Sequence, residues 1–229
     1  MRPSPTRSTS SPRLIIASHS NAQYSRRVFV TPTVAYSGQV IDNPENGERV
    51  RFLRTAGETG GQVLSFQSSL KPGGFVGAEH LHPLQTSHFQ VLTGPVSFRV
   101  AGRLLRVARG ETVTVLPGTP HRYWNPTDHV VSVVVQFRPA LRTETLFEAF
   151  FGLAREGKVS GERICNPFQE AVLIEEFSAE SRPTWGPGRW RALQLTARIG
   201  RLLGYRAVDL RYLASAPAGQ PPAAAASAA

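Results

Sequence analysis

Residues 74–94 read GFVGAEHLHPLQTSHFQVLTG. Three of the chain's six histidines fall within this stretch: His80, His82 and His88. His80 and His82 are two positions apart, so on a β-strand both side chains leave the same face. Two imidazoles on one face come close enough to share a metal ion. A third donor has to arrive from another strand, and His121 in LPGTPHRYWN is the candidate, because Pro117-Gly118 and Pro120 form a tight turn that fixes where it points. Three imidazoles leave coordination positions open, as a catalytic centre needs. His88 has the opposite parity and is expected to face outward; Glu79 has the wrong parity too. Ser87 and Gln85 share the inward parity, and Gln85 is the candidate to support a ligand from the second layer.

The surroundings of this stretch are β in character. QVLSFQSSL (62–70) ends in the turn signal KPGG, and FQVLTG is joined to VSFRVAG at Gly94-Pro95. In the latter, Val96, Phe98 and Val100 alternate with Ser97, Arg99 and Ala101, the period of a half-buried strand. RLLRVARG, ETVTVLPG and VVSVVVQF continue the series up to residue 138. Short strands separated by Gly/Pro turns predict an antiparallel sandwich or barrel. Phe66, Phe75, Phe89 and Phe98 are its core candidates, and of the consecutive Tyr123 and Trp124 one faces in and one out.

After Pro139 the period changes. Leu146, Ala149, Phe150 and Leu153 define a helix face within 141–158. A second helix is expected over 167–177, with Pro167 in its first turn, and a third over 188–206. In the third, Leu195, Ile199, Leu202 and Leu203 share a face, expected to pack on the barrel with arginines in solvent. The divisions that follow are a disordered tail over 1–27, a β-barrel over 28–138, a helical extension over 139–213 and a flexible Ala/Pro-rich tail over 214–229. The start is acid-free and rich in Arg and Ser, which also suits an organellar transit peptide, but it lacks the apolar core of a secretory signal.

Composition narrows the options. The 229 residues are 41% hydrophobic, enough for a real core, and no apolar run approaches membrane-spanning length. A single cysteine, Cys165, excludes an internal disulfide and a thiolate cluster. The net charge of +10 raises the question of nucleic acid or lipid. The excess sits at the flanks: residues 182–211 carry seven arginines and one acid, Asp209. No nucleic-acid-binding signature accompanies them, and no specific nucleic-acid partner is expected. Phosphate-loop, dinucleotide and serine-hydrolase motifs are missing as well. A cytoplasmic location is expected.

The two histidine segments together resemble the motifs of the cupin superfamily. The first runs Gly, five residues, His-x-His, three or four residues, Glu, six residues, Gly; here Gly74, His80, His82, Ser87 and Gly94 keep that spacing. The second runs Gly, five residues, Pro-x-Gly, two residues, His, three residues, Asn; here Gly110, Leu116, Gly118, His121 and Asn125 keep it. Two positions depart, Ser87 for Glu and Leu116 for the first Pro. The 15 residues between the motifs (95–109) match the short spacing of single-domain bacterial cupins. The resemblance implies a mainly β, double-stranded jelly-roll barrel with a metal in its mouth, here followed by C-terminal α-helices. It carries His80, His82 and His121 over as ligands but not the Glu, because a neutral hydroxyl is a poor ligand for a divalent cation. It makes Gly74, Gly94, Gly110 and Gly118 turn glycines, and Asn125 a residue that bonds a neighbouring loop.

A centre of three neutral histidines stays more electrophilic than one with a carboxylate and keeps a position open. Some iron dioxygenases of the superfamily use three histidines, so Fe is the first reading, with Zn, Mn and Ni compatible with the same ligands. Two classes of function are open at this level. One is a metal-dependent enzyme, dioxygenase or isomerase/cyclase-like, acting on a small organic molecule. The other is a non-catalytic small-molecule-binding module. A homodimer is expected to form through barrel strands, with RVFVTPTVAY (27–36) as one pairing segment.

Overall fold

The computed structural model describes residues 13–16 and 35–213, with side chains over 35–213. Among the described residues, fourteen strands and three helices follow one another in two blocks. The β block comprises β1 (Arg13–Ile16), β2 (Val40–Asn43), β3 (Glu48–Arg54), β4 (Leu64–Leu70), β5 (Phe75–Leu81), β6 (Thr86–Thr93), β7 (Pro95–Val100), β8 (Arg103–Ala108), β9 (Thr112–Val115), β10 (His121–Trp124) and β11 (Val131–Arg138). The second block holds α1 (Thr143–Arg155), β12 (Val159–Ser160), β13 (Arg163–Ile164), α2 (Pro167–Glu176), β14 (Arg182–Pro183) and α3 (Pro187–Leu202).

The β block forms two facing sheets, in the orders β1-β9-β6-β11-β4-β3-β2 and β5-β10-β7-β8, and β14 of the second block adds to the second sheet beside β5. Strand β11 shows why the first sheet forms. Val131, Val133, Val135 and Phe137 are buried while the residues between them are not, and β-branched side chains suit this pleated, half-buried surface. With Val50, Phe52, Phe66, Phe89, Val91 and Phe98 they fill the space between the sheets.

Turns set the register. Gly94 lies at φ 93°, and a Cβ there would sit 2.3 Å from Val131 Cγ1, so only glycine turns β6 into β7 against β11. Gly74, expected as a turn glycine, is required for a different reason. Its φ is not positive, and it is needed because a Cβ would stand 2.9 Å from the Lys71 carbonyl. Asn125 binds its neighbouring loops as expected: Nδ2 donates to the carbonyls of Leu70, Lys71 and His129.

Other expectations change. Arg13–Ile16, inside the segment read as a disordered tail, pairs in parallel with β9, while the rest of that tail and most of RVFVTPTVAY lie outside the described residues. Phe75 is only half-buried. Helix α3 reverses its expected packing: Leu195, Ile199, Leu202 and Leu203 are exposed, and the buried stripe is Leu193, Ala197 and Gly200, set against α2. The reason is close approach, since a Cβ on Gly200 would lie 2.9 Å from Val172 Cγ2. Small residues let two helices meet, and the leucines are left on the far side. No helix among the described residues is long and apolar enough to cross a membrane.

Replacing Gly94 with Ala is expected to destabilise the fold by about 2–4 kcal/mol, from left-handed strain plus overpacking on Val131. Urea unfolding followed by circular dichroism measures this as a lower midpoint with an unchanged slope.

Candidate metal centre

Strand β10 lies between β5 and β7, and His121 stands directly across from His80 in the β5–β10 pairing. Opposed residues on neighbouring strands place their side chains together. His82 follows one residue after β5 ends and keeps the parity of His80. Pro83 then removes a backbone donor and stops the strand. The Gly118 N–H donates to the His82 carbonyl (2.9 Å), so the turn before His121 is tied to the other motif. The outcome is a triangle of imidazoles with ring centroids 4.8–5.1 Å apart. One nitrogen from each lies within 4.8 Å of the other two.

Each ring is held from behind by a backbone carbonyl. His80 Nδ1 meets Ala78 O at 2.8 Å, His121 Nδ1 meets Thr119 O at 3.0 Å, and His82 Nδ1 meets Glu180 O at 2.5 Å. A carbonyl only accepts, so Nδ1 carries the hydrogen and Nε2 keeps its lone pair free in all three. Burial, and then the neighbouring His80 ring, pushes His82 from 6.5 down to about 3. His121 is driven well below its usual value by burial and by both neighbours, and His80 is lowered by burial. Three neutral imidazoles with convergent lone pairs are a donor set that suits a divalent ion.

No carboxylate joins them among the described residues. Ser87 is fully buried, and its hydroxyl has no hydrogen-bond partner. His88 points away, with Nδ1 3.0 Å from Thr114 Oγ1 on β9. Glu79 favours the charged form of His80 but is outside the cluster. Gln85 is buried beside His82 and favours its protonated form. Its Nε2 reaches the Pro139 and Ala140 carbonyls and Thr143 Oγ1, each at 2.9 Å. Gln85 thereby links the loop after β5 to the start of α1.

The cluster borders a cavity of about 220 Å³. Phe66, Phe89, Tyr123 and Phe137 line it from the barrel; Phe147 and Phe151 of α1, with Phe177 after α2, close it. Phe147 meets Phe66 edge-on at 5.1 Å. The helical extension thus builds part of the site. Arg142 holds it down, donating to Glu176 Oε1 (2.8 Å), the Glu176 carbonyl (2.7 Å) and Glu180 Oε1 (3.2 Å). Glu180 is the residue whose carbonyl supports His82.

Among the cavity residues that escaped the sequence reading, one is titratable and buried. Glu48 of β3 is 5% exposed and lines the cavity with Asn46. Ser68 Oγ donates to its Oε1 at 2.6 Å, and burial raises it from 4.5 to about 7. Tyr123 is raised by burial and by Glu48. The alternation Glu48, Val50, Phe52 on the inward parity of β3 is the signal that marks Glu48 as facing in.

With this geometry established, comparison with known proteins agrees. Residues 66–137 match the family model of the cupin domain, the segment that holds all three clustered histidines. An oxidoreductase of Arthrobotrys oligospora is 27% identical over 157 residues, and the chain spans about 60% of the length of that relative. Similar solved structures include an RmlC-like cupin from Shewanella frigidimarina (18% identity, 47% of this chain and 88% of that one, TM-score 0.41). A predicted oxalate decarboxylase from Thermotoga maritima is another (17%, 48% and 99%, TM-score 0.41).

Glu48 gives a pH signature. Between pH 4.5 and about 7 the native chain keeps a proton that the unfolded chain has released, so this contribution to stability is full below 4.5 and lost as pH rises through 7. The neutral histidines act in the opposite sense, costing stability as pH falls below 6.5. Unfolding Glu48→Gln beside the wild type isolates the first effect. The variant is expected to gain on the order of 3 kcal/mol relative to wild type across that window. Arg142→Leu, which strands the buried Glu180 carboxylate, is expected to cost about 3–5 kcal/mol in the same assay.

Proposed function

We propose that this chain is a metal-dependent oxidoreductase of the dioxygenase type acting on a small, largely apolar organic molecule. His80, His82 and His121 hold a divalent ion through Nε2, with Fe as the first choice and Zn, Mn or Ni able to use the same ligands. The observation that carries the reading is the convergence of three carbonyl-held imidazoles, without a carboxylate, on an aromatic cavity. The name of the Arthrobotrys oligospora relative supports the oxidoreductase class.

A bound ion would supply Lewis acidity and, as Fe(II), a route to dioxygen chemistry. The chain supplies the rest. The phenyl rings of Phe66, Phe137, Phe147 and Phe151 hold the body of the substrate and exclude water. The hydrogen bonds from Nδ1 fix the aim of each ligand, so no reorganisation is needed when substrate arrives. Glu48, with its pKa near neutrality, gives or takes a proton at Oε2 while Ser68 holds Oε1.

A second reading, a non-catalytic binding module, is favoured by Ser87, which removes one ligand from the site. Elemental mass spectrometry of the purified full chain separates the two. The enzyme reading expects about one equivalent of transition metal, with affinity lowered by at least about 100-fold in His80→Ala and His121→Ala. It further expects dioxygen uptake by the Fe(II)-loaded chain with some member of a panel of phenols and aromatic acids, suppressed in Glu48→Gln. A chain that takes up no metal and still binds members of the panel is a binding module.

A further inference from the structure

The geometry points to the outer face of α3 as a docking surface for an anionic lipid bilayer. Leu195, Ile199, Leu202 and Leu203 lie at the i, i+4, i+7 and i+8 positions of one helix face. They are 59%, 42%, 88% and 60% exposed. Large aliphatic side chains this open, in contiguous positions, are unusual on a surface that meets only water. The opposite face of the helix is already used, packed on α2 through Leu193, Ala197 and Gly200. The leucine face therefore cannot turn inward without abandoning that contact.

Charge selects the occupant. Arg191 and Arg198 flank the apolar stripe one turn before and one turn after Leu195. Both are exposed, and neither has an acidic partner among the described residues. Nearby acids are committed elsewhere: Glu175 and Glu176 to Arg201, Asp209 to Arg211. Arg182 and Arg189 stack on Trp190 and Trp185, 4.1 and 3.9 Å from the ring centroids, which leaves their charge in place. On α3 itself Arg191 and Arg198 thus stand as unpaired cations beside the open aliphatic side chains, while Arg201 is paired with Glu175 and Glu176.

A second copy of the chain would bring two such positive rims together, which opposes association. Nucleic acid would use the arginines but leave the leucines without a role. An anionic bilayer satisfies both: aliphatic side chains enter the acyl boundary while guanidinium groups stay with the phosphates. The helix then lies on the membrane plane rather than across it, and the barrel stays outside.

Sedimentation of the full chain with vesicles tests this. The vesicles are phosphatidylcholine alone, or phosphatidylcholine with a quarter phosphatidylglycerol. The expected result is binding to the anionic vesicles only, weakened as salt rises. Leu195→Ser with Leu202→Ser, and separately Arg191→Gln with Arg198→Gln, should each lower partitioning by roughly tenfold or more while circular dichroism and the melting temperature stay as in wild type. Absence of binding to anionic vesicles overturns the proposal. So does binding that the leucine pair leaves unchanged. A chain that is dimeric in analytical ultracentrifugation, and made monomeric by the leucine pair, overturns it in favour of a self-association face.

Discussion

The hydrogen bond between His82 Nδ1 and the Glu180 carbonyl joins the two halves of this protein. One partner directly follows the barrel strand β5, which carries His80; the other belongs to the helical extension almost a hundred positions later. Around it lie the Arg142 contacts to Glu176 and Glu180, the Gln85 contacts to the start of α1, and the pairing of Arg182 and Pro183 with Leu81 and His80. A barrel ending at Arg138 would have the three histidines at an open mouth. With α1 and α2 seated, aromatic side chains wall the mouth into a partly open cavity. Burial there lowers the pKa of all three imidazoles and raises that of Glu48 toward neutrality. One closure produces both effects.

The histidine cluster was legible in the sequence because its determinants are local. Strand parity sets His80 beside His82, a Pro-Gly turn aims His121, and the spacing of two short motifs matches a known family. Parity also placed His88 correctly outside the cluster. Glu48 was harder to see, since its relevance depends on strand β3 crossing under the cavity, a long-range fact. Its inward parity with Val50 and Phe52 was the available sign. The supporting carbonyl of Glu180 had no sequence signal, because every residue has a carbonyl and only tertiary packing selects one.

Helix α3 shows where pattern reading misleads. The largest apolar side chains suggest the buried face, and hydrophobic burial does favour them. Helix–helix distance is a competing constraint. Against α2 the approach at Gly200 is so tight that small residues take the contact, and the leucines are displaced to the surface. Size excluded them from the interface, despite their polarity suiting it.

Ser87 leaves a site whose three donors carry no charge. An ion held there would keep its full double charge inside a cavity of phenyl rings, where charge is poorly solvated. An anionic oxygen donor entering the same cavity relieves that cost, and the ion in turn lowers the cost of burying the anion. The two occupants would then be reciprocal effectors, each raising the affinity for the other by the same factor. Tighter metal binding in the presence of an anionic ligand and tighter ligand binding in the presence of metal would be one property measured from two sides.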